Sequence, residues 1–151
     1  KVAPLLRTGD DIAALKAGLA DGTIDAIATD HAPHALQEKD REFDHAAFGM
    51  VGLETALPLG LRLVEEGALA LPRLIEALTS GAAACFALPG VGTLAVGAVA
   101  DVAVFSAERR WVVGRDTLRS RSKNSPFLGW DLRGRVLLTL LGGRAVHDEL
   151  G

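Results

Sequence analysis

Ile27-Ala28-Thr29-Asp30-His31-Ala32-Pro33-His34 is a run of small and apolar residues that ends on an acid and continues into two imidazoles around a proline. The apolar part begins at Ile24, and a run from 24 to 29 has the length of a strand. Upstream, Thr8 can cap a helix whose first turn carries Asp10 and Asp11, acids that suit the positive end of the helix dipole. Ile12, Leu15 and Leu19 then recur on one face, and Asp21-Gly22 is a stop, so residues 10–20 are expected to form an amphipathic helix. Helix, tight turn and apolar run make one step of an α/β fold, with 24–29 as a buried parallel strand. In such folds the loops after the C-terminal ends of strands carry the site. A carboxylate at position 30 can there bind a metal, act as a base, or do both. It can equally cap a helix or pair with a loop cation, and the spacing is compatible with each. Pro33 limits backbone freedom between the imidazoles, and His34 can donate a hydrogen bond to an anionic substrate.

Outward from this stretch, residues 30–50 form a long polar segment, and long loops in compact domains usually serve a function or lack order. The leucines and Val64 between Gly52 and Glu66 predict a helix, with a kink or late start at Pro58. Leu71, Leu74, Ile75 and Leu78 predict a second helix opened by Pro72. Residues 80–88 predict a third, rich in alanine, that ends at Pro89-Gly90. Cys85 in that helix reads as a small core residue. His45 and His147 carry no motif and read as ordinary loop and strand residues.

Beyond Gly90 the texture becomes β-rich. Val102–Phe105, Trp111–Val113 and Val136–Leu141 predict strands, and Gly142-Gly143 before Ala145-Val146 is a hairpin signal. The net charge of −3 gives no basic footprint for nucleic acid. No apolar run approaches the ~18 residues of a membrane span. The single cysteine excludes an internal disulfide framework and suits the cytoplasm. The chain opens on Lys1 and its one methionine is Met50, which predicts a C-terminal piece of a longer protein.

Ala28-Thr29-Asp30-His31-Ala32-Pro33-His34, followed after four residues by Lys39, resembles the signature of the dihydroorotases, metal-dependent (β/α)8 barrels of the amidohydrolase superfamily. The resemblance extends to Asp21-Gly22-Thr23-Ile24-Asp25, to Phe48-Gly49 and Gly52-Leu53-Glu54-Thr55, and to Ser122-Lys123-Asn124-Ser125-Pro126-Phe127, and its type is the longer bacterial chain. Gly97-Ala98-Val99-Ala100-Asp101 resembles the superfamily's return into its small β-sandwich. The implied fold is α/β: residues 1–93 as the C-terminal portion of the barrel, and 94–151 as part of the β-sandwich (composite) domain.

The implied activity is zinc-dependent, reversible hydrolysis of the cyclic amide of dihydroorotate to carbamoyl-aspartate in pyrimidine biosynthesis. Asp30 matches the last-strand aspartate that is both metal ligand and proton shuttle. Zinc lowers the pKa of water toward ~7, and Asp30 takes the proton and returns it to the leaving nitrogen. His34, Phe48 and Gly49 match residues that contact the substrate. The family's remaining ligands for one or two zinc ions are not among these residues. Asp30 alone cannot hold a catalytic zinc, which needs about three protein ligands, so the piece by itself is expected to be inactive. Its uncovered apolar faces are expected to make it poorly soluble.

The sequence also departs from the family pattern. Ala3-Pro4-Leu5-Leu6-Arg7 stands where the family often has Asn-Pro-Pro-Leu-Arg, and a methyl group cannot make the asparagine's hydrogen bond to substrate. That departure keeps open an inactive dihydroorotase-like subunit supporting an aspartate carbamoyltransferase, while Asp30, His34 and Lys39 together favour the enzyme. A hydantoinase- or allantoinase-like hydrolase is a further alternative, against which His34 argues. A homo-oligomer is compatible with each.

Overall fold

The computed structural model describes residues 1–150 as five helices and three strands: α1 (Gly9–Asp21), α2 (Leu36–Lys39), α3 (Leu53–Glu65), α4 (Leu71–Leu78), α5 (Ser80–Cys85), β1 (Val102–Val112), β2 (Asp131–Leu141) and β3 (Arg144–Asp148). α1 forms as expected. The Thr8 hydroxyl accepts from the Asp11 amide, the Asp11 carboxylate accepts from the Thr8 amide, and Gly22 closes the helix with φ +86°. Its apolar face is only partly covered. Leu19 packs on the Leu61–Leu69–Leu74 cluster, whereas Ile12 and Leu15 remain about half exposed.

Residues 24–29 correct the expectation of a buried parallel strand. They join no sheet, Ala28 is exposed and Ile27 only half-buried. A strand needs a neighbouring backbone to complete its ladder, and the only parallel pairing nearby is the single bridge between His31 and Met50. The backbone of the run is satisfied by helices instead. The Ile24 amide donates to Gly18, the Ile27 amide donates to Ala77, and Arg73 donates to the carbonyls of Leu19 (2.9 Å) and Ile24 (2.5 Å).

α3 runs from Leu53 with Pro58 inside it, so the late start is not adopted. α3 and α4 pack through Leu74, which is fully buried against Leu61 and Leu69. A Cβ on Gly60 would lie 2.4 Å from the Leu74 Cδ1, so the helices approach where a side chain is missing. α5 is shorter than expected and stops at Cys85, which is exposed rather than part of the core. The adjoining Phe86 and Leu88 are exposed as well, so this end of the helix has no apolar cover among the described residues.

β1, β2 and β3 form an antiparallel sheet in that order. β1 is a single strand, not the two short ones expected. The charged Glu108-Arg109-Arg110 lies where the pairing slips between Ser106↔Arg135 and Arg110↔Arg133, and this bulge breaks the apolar alternation that marks a strand. Opposite it, Gly134 takes φ +105°, and its carbonyl accepts from the Trp111 indole N–H at 3.0 Å. The hairpin at Gly142-Gly143 is borne out, with both residues at positive φ between the paired Leu141 and Arg144. Leu132 and Val113 bury completely in a second apolar cluster with Val51 and Leu118, which ties the sheet to the loop leading into α3.

Candidate active site

The site residues occupy two segments, 30–34 and 47–51, and a third segment joins them. Asp30 ends the apolar run with φ +43°, one of two non-glycine residues at positive φ among the described residues, and it is exposed. Asp tolerates the left-handed region better than most residues, and such conformations persist where the surroundings impose them. The next residue supplies that constraint. His31 Nδ1 accepts hydrogen bonds from the amides of Gly52 (3.1 Å) and Leu53 (3.4 Å) at the start of α3. Its ring fills the role of an N-cap, satisfying donors the helix cannot satisfy itself. With the His31–Met50 bridge and the Ala32 amide donating to Met50 (2.9 Å), it lays 30–34 alongside 49–51.

His34 is brought against the Phe48-Gly49 segment. Its Nδ1 faces Glu38 at 3.5 Å, and its Nε2 lies 3.7 Å from where a Cβ on Gly49 would stand. The Ala35 amide, which donates to Glu38 at 2.9 Å, holds the Glu38 carboxyl below the usual carboxylate range, and His34 beside it adds to the effect. With Nδ1 turned to an anion, Nε2 is the nitrogen left for a ligand. Gly49 has φ +110°, and a Cβ there would meet the Ala32 methyl at 2.4 Å, so both its conformation and its neighbour require glycine. Phe48 is about half exposed, with the Lys1 ammonium 4.3 Å from its ring centroid. Ala3, in the segment that follows Lys1, is exposed and contributes a methyl group alone.

Asn124 joins the two loops. Its Oδ1 accepts from the His34 amide at 3.3 Å, and its Nδ2 donates to the carbonyls of Ala32 (2.9 Å) and Gly49 (3.3 Å). The Lys39 ammonium donates to the carbonyls of Ala47 (2.7 Å) and Gly49 (2.9 Å). A cavity of about 200 Å³ opens beside His34, lined by Lys39, Arg115, Arg121, Ser122 and Lys123 among others, and its cationic wall suits an anion.

A metal fits this site only in part. Asp30 is an exposed carboxylate able to serve as one ligand, but no three His, Cys, Asp or Glu residues converge among the described residues. The contributions of His31 and Asn124 lie outside what the sequence spacing reveals. Each works through the backbone of a segment far away in the chain, and only the Asp30–His34 cluster draws attention to the neighbourhood.

Residues 2–146 match the amidohydrolase family, whose members are generally metal-dependent. Curated relatives include the dihydroorotase of Anaeromyxobacter dehalogenans strain 2CP-C, 56% identical over 149 residues, and that of Geobacter metallireducens, 52% identical over 149 residues. Each alignment covers 99% of this chain, which spans about a third of the relatives' length, 34% and 35%. Among solved structures, a D-hydantoinase superposes with a TM-score of 0.90 at 27% identity, and the L-hydantoinase (dihydropyrimidinase) of Arthrobacter aurescens with 0.89 at 34%. These cover 98% and 99% of this chain and 34% of each neighbour.

Proposed function

The chain belongs to the amidohydrolase family, and from that premise we propose that it is the C-terminal part of a dihydroorotase that opens and closes the cyclic amide of dihydroorotate. The carrying observation is the contrast in identity. The dihydroorotases share 52–56% of residues over this stretch, whereas the hydantoinases share its backbone at 27–34%. On this reading residues 1–93 are the end of the barrel and 94–151 part of the sandwich. The substrate is a small carboxylate-bearing molecule, and the proposed location is the cytoplasm.

The chemistry follows from what each residue can do. Asp30 would be one ligand of a zinc ion whose other ligands are not among the described residues, and that ion would supply activated water at neutral pH. The Asp30 carboxylate accepts the proton as water attacks the amide carbon, then returns it to the nitrogen as the C–N bond breaks. In ring closure the same carboxylate removes that proton. In the form that carries a proton on both ring nitrogens, His34 turns Nδ1–H to Glu38 and donates from Nε2, beside Phe48 and Gly49, to the substrate carboxylate, and the cations lining the neighbouring cavity favour that charge. On this reading Phe48 and Gly49 contact the ring, while the space a Cβ on Gly49 would need is taken by the Ala32 methyl.

The test is ring opening by the zinc-loaded parent beside its Asp30→Asn variant, which keeps the shape and loses the base. Turnover that falls by at least about 100-fold in the variant supports the reading. A folded, metal-bearing parent that hydrolyses hydantoin and not dihydroorotate overturns it. Ala3→Asn restores a hydrogen-bonding side chain worth ~0.5–1.5 kcal/mol and should lower KM for dihydroorotate by up to about ten-fold. An unchanged KM would mean that another donor already fills that place.

A further inference from the structure

We propose that Asn124 and Lys39 are positioning residues that lock the Phe48-Gly49 segment against His34 through the Gly49 carbonyl. The proposal rests on the reading of this site as a dihydroorotate site. Gly49 O accepts from Lys39 Nζ at 2.9 Å and from Asn124 Nδ2 at 3.3 Å, so two donors occupy the two lone pairs of one carbonyl. Lys39 also takes the Ala47 carbonyl at 2.7 Å. The carbonyls on either side of Phe48 therefore converge on one ammonium, and the Phe48 ring is left about half exposed.

Asn124 fixes the opposite loop at the same time. Its side chain accepts from the His34 amide and donates to the Ala32 carbonyl, and its own carbonyl accepts from the Val51 amide at 3.2 Å. One side chain thus bonds both segments, beside the backbone bond from Ala32 to Met50. The approach is close, since a Cβ on Gly49 would lie 2.4 Å from the Ala32 methyl. Asn124 spends both amide hydrogens, and Lys39 two of its three ammonium hydrogens, on these carbonyls, so the proposed effect on substrate passes through the backbone of residues 47–51. Asn124 comes from the segment between β1 and β2, so the sheet-bearing half of the chain takes part in shaping the site.

The test uses the full-length, metal-loaded parent carrying Asn124→Ala, Lys39→Met or Lys39→Arg. Misplacement of a substrate-contacting segment weakens binding more than the proton-transfer step. Asn124→Ala and Lys39→Met should therefore raise KM for dihydroorotate by about 10- to 100-fold while kcat stays within about three-fold. Bound metal should be unchanged, amide exchange at residues 48–51 should accelerate, and exchange along β1 and β2 should not. Lys39→Arg, which keeps charge and several donors, should recover most of the KM. The proposal is overturned by wild-type KM with unaltered exchange at 48–51, or by a joint loss of kcat, metal and thermal stability that Lys39→Arg does not rescue. If Asn124→Ala fails to fold, Lys39→Met removes one donor from the same carbonyl and carries the test. If the wild-type parent does not turn over dihydroorotate, the substrate reading is what fails. Exchange at 48–51 in the variants then decides the clamp: acceleration supports it and unchanged exchange refutes it.

Discussion

Residues 24–29 and the Val102–Phe105 start of β1 are both largely apolar segments of strand length, and their backbones are satisfied in different ways. β1 lies along β2 from Val102↔Leu140 to Val112↔Asp131, so its amides and carbonyls are paired by a segment the chain itself supplies. Residues 24–29 meet no strand. Helix ends and the Arg73 guanidinium serve them instead, and pairing of the strand type is limited to the one His31–Met50 bridge. An apolar run of strand length states a preference for burial; whether it becomes a strand depends on a partner backbone. The candidate site residues stand where the ladder is absent, and side-chain-to-backbone bonds with His31, Lys39 and Asn124 hold that region in place of a sheet.

The comparison can be broken from either side. The largest effect is expected from Leu132→Ala in β2, where truncating a side chain only 1% exposed costs ~2–5 kcal/mol. Hydrogen exchange should then accelerate along β1 and β2 and leave the Ile24 and Ile27 amides as they were. Equal acceleration in both places would mean that the two regions open as one unit. Next, Arg73→Met removes the charged donor to the Leu19 and Ile24 carbonyls, a loss of ~1.5–3 kcal/mol. Exchange at Ile24 and Ile27 should rise by about 10- to 150-fold with the sheet unaffected. An unchanged rate would mean that the run is held by its apolar contacts alone. Smaller again, Thr8→Ala deletes the cap of α1 and should cost about 1 kcal/mol, fraying the first turn. The last turn, where Gly18 accepts from Ile24, should keep its protection.

Local chemistry made much of this readable in advance. Thr8 with Asp11, the leucines of α3 and α4, and Gly142-Gly143 act within a few residues of themselves, and the structure has them as the sequence suggests. The misses share a cause. The fate of 24–29 and the exposure of Cys85 depend on what packs against them, and no local pattern encodes that. The continuity of β1 was hidden because its bulge places three charged residues in a row where alternation would be expected. At the site, the sequence marks the cluster Asp30–His34 as candidate chemistry, and Phe48-Gly49 only through the family resemblance. The joint between them was not legible, because Asn124 lies about ninety residues from both Ala32 and His34 along the chain.

The smallest effect lies at the far end of the sheet and is electrostatic. Glu149 accepts from Arg135 at 2.9 and 3.2 Å and from Arg119 at 3.4 Å, with His147 Nε2 at 3.7 Å. Arg135 holds the Glu149 carboxyl below the ordinary glutamate range, with Arg119 and His147 adding to it. A carboxyl whose pKa is lower folded than unfolded stabilises the fold fully above its unfolded value, about 4.3. That contribution is lost as the pH falls through the lower folded value, where protonation removes the charge. The arginines are partly exposed and water screens them, so the whole effect should stay below about 1 kcal/mol. Glu149→Gln should therefore lower the Tm slightly at pH 7, and the gap from wild type should close as the pH drops below about 4. Added salt should narrow it at neutral pH. A gap that stays constant through the acid range would assign the contact to packing rather than charge, and the sheet would then owe its hold to the ladder and the Leu132 cluster.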